Sequence, residues 1–197
     1  MFFINSFIKV CKNTLTDDQC KALVEQLNSY PVDSLDPVTG KLIWDKARVY
    51  NRNENDELLV EVSDRRTCSK MSDESAVYGS IYQIIEPLIS KQIYDYIDHF
   101  EVELSKEQDN RYGILRYEAG QASLLHSDDG VGVHRRVSCI LYINDDYTGG
   151  ELFFNKQDYE IKPDAGDLII FPSAFPYTHE AREVKTGVKY CVVKFWA

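Results

Sequence analysis

His126, Ser127 and Asp128 form a His-x-Asp triplet near the end of Arg116-Tyr117-Glu118-Ala119-Gly120-Gln121-Ala122-Ser123-Leu124-Leu125-His126-Ser127-Asp128-Asp129. On an extended strand alternate side chains share a face, so an imidazole and a carboxylate two residues apart converge closely enough to share one ion. A second imidazole stands at His179, in Tyr177-Thr178-His179-Glu180, ahead of another strand-like run. Two imidazoles and one carboxylate on one face of a metal, with the other positions open, are the donor set of the facial triad in non-haem Fe(II) oxygenases. Asp129 is the rival carboxylate, but one step along a strand points it away from His126, and its alternative role is to cap the Gly130-Val131-Gly132 turn. His134, beside Arg135 and Arg136, is the rival imidazole.

Further groups accompany the triplet in a fixed order: Tyr117-Glu118-Ala119-Gly120-Gln121 before it, then Tyr142-Ile143-Asn144, Gly149-Gly150-Glu151, Pro163-Asp164-Ala165-Gly166-Asp167 with Phe171, and finally His179 with Lys189 ten residues on. In this order and spacing residues 111–197 resemble the 2-oxoglutarate and Fe(II)-dependent dioxygenases, most closely their prolyl 4-hydroxylase-like branch. The resemblance implies that Fe(II) is held by His126, Asp128 and His179, with no metal role for His134. It implies that 2-oxoglutarate is the co-substrate, with Lys189 and the Tyr142 hydroxyl at its distal carboxylate and Tyr117 lining the site near iron. A buried carboxylate must be matched by a charge, and strand parity sets Cys191, Val193 and Phe195 on the face of Lys189. Arg182 and Lys185 are the alternative cations, at shorter spacings.

On the substrate side, Arg135 falls where relatives carry an arginine at the entrance, and Arg65-Arg66-Thr67-Cys68 resembles their Arg-Thr-Ser motif. Ser123 stands in place of a tyrosine and Phe195 in place of a tryptophan, two departures that bear on the prime substrate. The implied reaction decarboxylates 2-oxoglutarate to succinate and carbon dioxide while dioxygen oxidises an unactivated C–H bond, with ascorbate as a candidate reductant. The implied substrate is a prolyl residue in a peptide or protein. The alternatives are a free amino acid or small-molecule hydroxylase on the same scaffold, and a non-enzymatic metal-binding jelly roll.

The elements that must position these residues follow from patterning. At 197 residues, with 44% of them apolar, the chain is long enough for one domain with a sizeable core. A net charge of −10 argues against a nucleic-acid partner, which needs a basic stripe. Five cysteines without a Cys-x-x-Cys pair read as free thiols, Cys139 and Cys191 buried in apolar runs, which suits a reducing cytoplasmic setting. No apolar run is long enough to span a bilayer, and residues 1–8, lacking a basic flank and a cleavage site, read as a first strand.

Thr16-Asp17-Asp18-Gln19 matches a capping box and predicts a helix over residues 15–30. A stripe from Val77 to Phe100 predicts a second helical segment over 75–100, either kinked at Pro87 or split into two helices there. Short strands are expected at 42–44 and 47–50, residues 51–74 read as mostly surface with a short strand at 58–62, and that segment is long enough to form a substrate lid. From Arg111 onward strands recur at 112–117, 137–143, 151–154, 159–161, 168–171 and 189–196 between turn signals. The expected class is mainly β with flanking helices (α+β): a double-stranded β-helix, or cupin-like jelly roll, with the N-terminal helices packed on one sheet. Residues 1–197 read as a single dioxygenase domain, with 1–110 as helical support and substrate loop and 111–197 as the catalytic core.

Overall fold

The capping signals set both helices. In the computed structural model, which describes residues 7–46, 49–52, 58–61, 68–105, 111–130 and 134–197, with the backbone alone at 49–52 and 58–61, the elements run in the following order. They are β1 (Lys9–Cys11), α1 (Asp17–Asn28), β2 (Trp44–Lys46), β3 (Val49–Arg52), β4 (Leu58–Glu61), β5 (Ser69–Met71), α2 (Ala76–Phe100) and β6 (Gly113–Tyr117). There follow β7 (Ser123–His126), β8 (Val137–Tyr142), β9 (Thr148–Gly149), β10 (Leu152–Phe154), β11 (Tyr159–Ile161), β12 (Leu168–Pro172), β13 (His179–Ala181), β14 (Val184–Thr186) and β15 (Lys189–Trp196).

At the start of α1 the Thr16 hydroxyl accepts from the Gln19 amide at 3.2 Å, and the Gln19 side chain accepts from the Thr16 amide at 2.9 Å. The helix is shorter at both ends than expected, because the Leu15 amide is taken by the Gly166 carbonyl and Ser29 forms the C-cap. Ser75 caps α2, which then runs unbroken through Pro87, so the two-helix alternative does not hold. An interior proline costs about 3 kcal/mol, but Ile81, Ile85, Ile89 and Ile93 lie on one stripe across it and are all fully buried. Burying each contributes about 1.5–3 kcal/mol, which outweighs the break.

The strands make a seven-stranded sheet in the order β1-β12-β8-β15-β6-β5-β2 and a four-stranded sheet in the order β11-β10-β13-β7, with smaller pairs β14-β9 and β3-β4. On the outer face of the large sheet Ile114, Cys139, Leu141, Leu168, Ile170, Tyr190 and Val192 pack with the helix stripe. On its inner face Leu115, Tyr117 and Cys191 form one cluster and Tyr142, Ile169 and Phe171 another, the latter with Leu152, Phe154 and Tyr177. The runs at 137–143 and 168–171 are apolar throughout because both faces of their strands are covered. This is the double-stranded β-helix with helices on one sheet, and the space between the two sheets holds the site.

The N-terminal portion differs in detail from expectation. The first described strand is Lys9–Cys11, and residues 1–6 lie outside the described residues. The expected strand at 42–44 is shifted to Trp44–Lys46, while Leu42 makes an isolated bridge to Leu35. Ser69–Met71, read as surface, is instead a strand of the large sheet: β5 pairs with β6, and Cys68, Ser69 and Met71 are buried. All five cysteines are buried.

Candidate active site

β7 and β13 are neighbours in the small sheet, and their register sets His126 directly opposite His179. The two rings lie 4.5 Å apart between centroids. The Nδ1 atom of His126 is 2.8 Å from the Leu124 carbonyl and that of His179 is 3.1 Å from the Tyr177 carbonyl. A backbone acceptor at Nδ1 assigns a proton there and turns Nε2 towards the site. Both Nε2 atoms face the Asp128 carboxylate, at 3.5 and 3.6 Å. One donor atom from each of the three residues lies within 4.8 Å of the others, an arrangement able to hold a metal ion. Burial pushes the Asp128 carboxyl up, but His179, His126 and the Ser138 hydroxyl outweigh it and hold the group well below the usual carboxylate range. It is therefore an anion ready to ligate.

Strand parity alone does not deliver Asp128, because β7 ends at His126 and Asp128 lies in a bend beyond it. The bend is fastened by Ser173, just after β12. Its carbonyl accepts from the Ser127 hydroxyl at 2.9 Å and from the amides of Asp128 and Asp129 at 3.2 and 3.1 Å. Its own hydroxyl meets that of Ser138 at 2.7 Å. Sequence patterning gives little sign of this pair: Ser138 is a small polar residue within the apolar strand β8, and Ser173 follows the end of β12.

The three residues line one part of a cavity whose wall also carries Tyr117, Ser123, Tyr142, Lys189, Cys191, Val193 and Phe195. Lys189 is 1% exposed and has no carboxylate partner among the described residues; its ammonium donates to the Gly150 carbonyl at 2.7 Å. The rings of Tyr117, Tyr142 and Tyr147 surround it, with centroids at 5.3, 4.9 and 5.9 Å. Burial lowers its proton affinity, partly offset by Cys191, Cys68 and Glu151. Gly150 is required where it is. Its φ is +68°, and a Cβ there would lie 3.0 Å from the Tyr147 ring and 3.3 Å from the Lys189 chain.

Arg135 meets Phe195, a residue of the cavity wall, with its guanidinium carbon 3.7 Å from the ring centroid. The Arg135 side chain also donates to the Asp128 carbonyl at 3.2 Å, and its amide donates to the Asp129 carboxylate at 3.1 Å. That bond, across the loop, is what Asp129 does; the Val131-Gly132 part of the turn expected for it, and Arg65, lie outside the described residues. His134 is exposed and outside the cluster. The alternative cations are engaged elsewhere on the surface, Arg182 with Glu160 at 2.9 Å and Lys185 with Glu183 at 2.8 Å. Among the described residues no helix is long and apolar enough to cross a membrane.

Comparison with known proteins agrees with this geometry. A model of the 2OG-Fe(II) oxygenase superfamily matches residues 112–197. Human prolyl 3-hydroxylase 2 is 39% identical over 67 residues, which are 32% of this chain and 9% of that protein, so the match spans a small part of the relative's length. In fold, the viral collagen prolyl hydroxylase of Paramecium Bursaria Chlorella virus-1, solved with 2OG, superposes with a TM-score of 0.60 at 19% identity, covering 99% of this chain and 98% of that one. A Trichoplax adhaerens prolyl hydroxylase, solved with a peptide fragment of the hypoxia inducible factor oxygen degradation domain, gives 0.65 at 16% identity, covering 98% and 84%. Those two likenesses speak to fold; the segment that is similar to the 2OG-Fe(II) oxygenase superfamily, residues 112–197, carries the His126, Asp128, His179 cluster and Lys189.

Proposed function

We propose that the protein is a 2-oxoglutarate- and Fe(II)-dependent dioxygenase that hydroxylates a prolyl residue in a peptide or protein. The observation that carries the reading is one cavity holding both an open-sided His126, Asp128, His179 donor set and a buried lysine that has no carboxylate partner among the described residues. The residues fit the implied metal, since both imidazoles present Nε2 to an ionised carboxylate. They fit the co-substrate as well, because a buried ammonium without a counter-charge is an anion site.

Bound Fe(II) would bring dioxygen and 2-oxoglutarate together, so that decarboxylation of one is coupled to oxidation of a C–H bond. His126, Asp128 and His179 would hold it and leave its remaining positions open. Lys189 would neutralise the distal carboxylate, Tyr142 would donate to it, and Tyr117 would wall that end from water. Arg135 and Phe195 would meet the substrate, with Arg65 as a further candidate. Ascorbate is the proposed reductant.

We take the whole chain as one functional unit, residues 1–110 supporting the core formed by 111–197. Five buried cysteines suit a reducing cytoplasm, and the acidic balance favours a peptide over nucleic acid.

The test is incubation with Fe(II), 2-oxoglutarate and panels of proline-containing peptides and free amino acids, reading succinate and the mass gain of one oxygen atom. His126→Ala and His179→Ala should lose metal while remaining folded. Turnover on free amino acids alone would move the assignment to a small-molecule hydroxylase, and no turnover of 2-oxoglutarate with any panel would leave a metal-binding jelly roll.

A further inference from the structure

Tyr147 belongs to none of the motifs above, yet its hydroxyl is buried and has no hydrogen-bond partner among the described residues. Buried hydroxyls in folded proteins are nearly always paired, and one that is not points to a missing partner or to strain. The phenol is held in place by its neighbours. Lys162 lies 4.7 Å from the ring centroid and donates to the Tyr147 carbonyl at 2.7 Å, while the ring edge packs on Gly150 so closely that a Cβ there would stand 3.0 Å away.

The ring is also the third wall of the cage around Lys189. Tyr147 does not itself line the cavity but packs in one cluster with Leu115, Tyr117 and Cys191, all three of them residues of its wall. The Tyr142 and Tyr147 phenols are both raised well above the ordinary phenolic range, first by burial and then by neighbours, Tyr147 in the case of Tyr142 and Cys191 in the case of Tyr147. Both therefore stay protonated and can donate.

We propose that Tyr147 is a binding residue whose hydroxyl donates to the carboxylate neutralised by Lys189, so that two phenols and one ammonium together recognise the distal end of a 2-oxo dicarboxylate. The inference rests on the co-substrate reading above and adds a residue to it. A fixed donor that loses no freedom when the ligand arrives contributes more of its bond to affinity than a mobile one. It also gives the site a reason to prefer a dicarboxylate over a 2-oxo acid with an apolar tail, which would leave both the ammonium and the phenol unpaired.

The test compares Tyr147→Phe with wild type, both as full chains loaded with Mn(II) without dioxygen. Calorimetry measures binding of 2-oxoglutarate and of 2-oxovalerate, in which a methyl group replaces the distal carboxylate. Thermal unfolding is followed without ligand. Tyr147→Phe should weaken 2-oxoglutarate binding about tenfold, the effect of losing a hydrogen bond to a charged group. It should leave 2-oxovalerate binding unchanged and unfold at the same or a higher temperature without ligand. A structural tyrosine would behave in the opposite way. Equal losses for both ligands, a lower unfolding temperature, or unaltered 2-oxoglutarate binding would each overturn the proposal while leaving the co-substrate reading in place. If wild type bound 2-oxoglutarate no better than 2-oxovalerate, the co-substrate reading would fall and this proposal with it.

Discussion

Lys189 is a charge the fold pays to keep. Its ammonium is buried, one carbonyl is its hydrogen-bond acceptor, and burial lowers its pKa from 10.5. The unfolded chain therefore binds the proton more tightly than the folded one. Below the lowered folded value both states are charged and the penalty is present in full; as pH rises from that value towards 10.5 the penalty is relieved and stability increases. Lys189→Met should abolish this alkaline rise and make the ligand-free protein more stable at neutral pH, as seen by thermal unfolding across pH. The same variant should lose 2-oxoglutarate affinity by roughly 3–5 kcal/mol, because the carboxylate would then be buried without its counter-charge. Stability and binding should move in opposite directions, which distinguishes a site residue from a packing one.

Among the elements, the turn between β9 and β10 does more than connect them. Gly149 and Gly150 both have positive φ, at +73° and +68°, so the chain passes close under Lys189 and turns a carbonyl towards it. Gly40 has a similar φ of +67° but nothing within 4 Å of where a Cβ would be. Gly40→Ala and Gly150→Ala should each lose about 1–2 kcal/mol from the left-handed backbone alone. Only Gly150→Ala should also weaken 2-oxoglutarate binding, since its methyl group would press on Tyr147 and Lys189. Paired unfolding and binding measurements check this, and equal effects of the two substitutions on binding would contradict it. α2 makes the complementary point, that a proline is tolerated where four buried isoleucines hold the helix on the sheet.

Across the whole molecule, the metal-side and carboxylate-side residues stand on different sheets. His126 and His179 belong to β7 and β13 of the small sheet, whereas Tyr117, Tyr142 and Lys189 belong to β6, β8 and β15 of the large one. A ligand reaching from one set to the other ties the sheets together in the folded state and has no counterpart in the unfolded chain. Mn(II) and 2-oxoglutarate at a hundred times their dissociation constant should each stabilise by about 2.7 kcal/mol. Without dioxygen, the unfolding temperature should rise with the pair by more than with the metal alone; in Lys189→Met only the metal's share should survive.

Local devices and parities are legible in the order of residues alone: the Thr16 and Gln19 capping box, the isoleucine stripe of α2, the alternation that sets Lys189 and Cys191 inward, and the donor types at 126, 128 and 179. These depend on periods of two and 3.6 residues, which a single sequence displays directly. The tertiary structure decided what comes from far along the chain. It made Ser69–Met71 a sheet strand, carried α2 through Pro87, and aimed Asp128 through a bend fastened to Ser173. It also brought Tyr147 beside Lys189, a contact absent from both local patterns because the two residues lie far apart in the chain and meet only when the sheets close. Periodicity reports which face a residue takes; which distant group fills the space opposite that face is settled by how the sheets and helices close on one another.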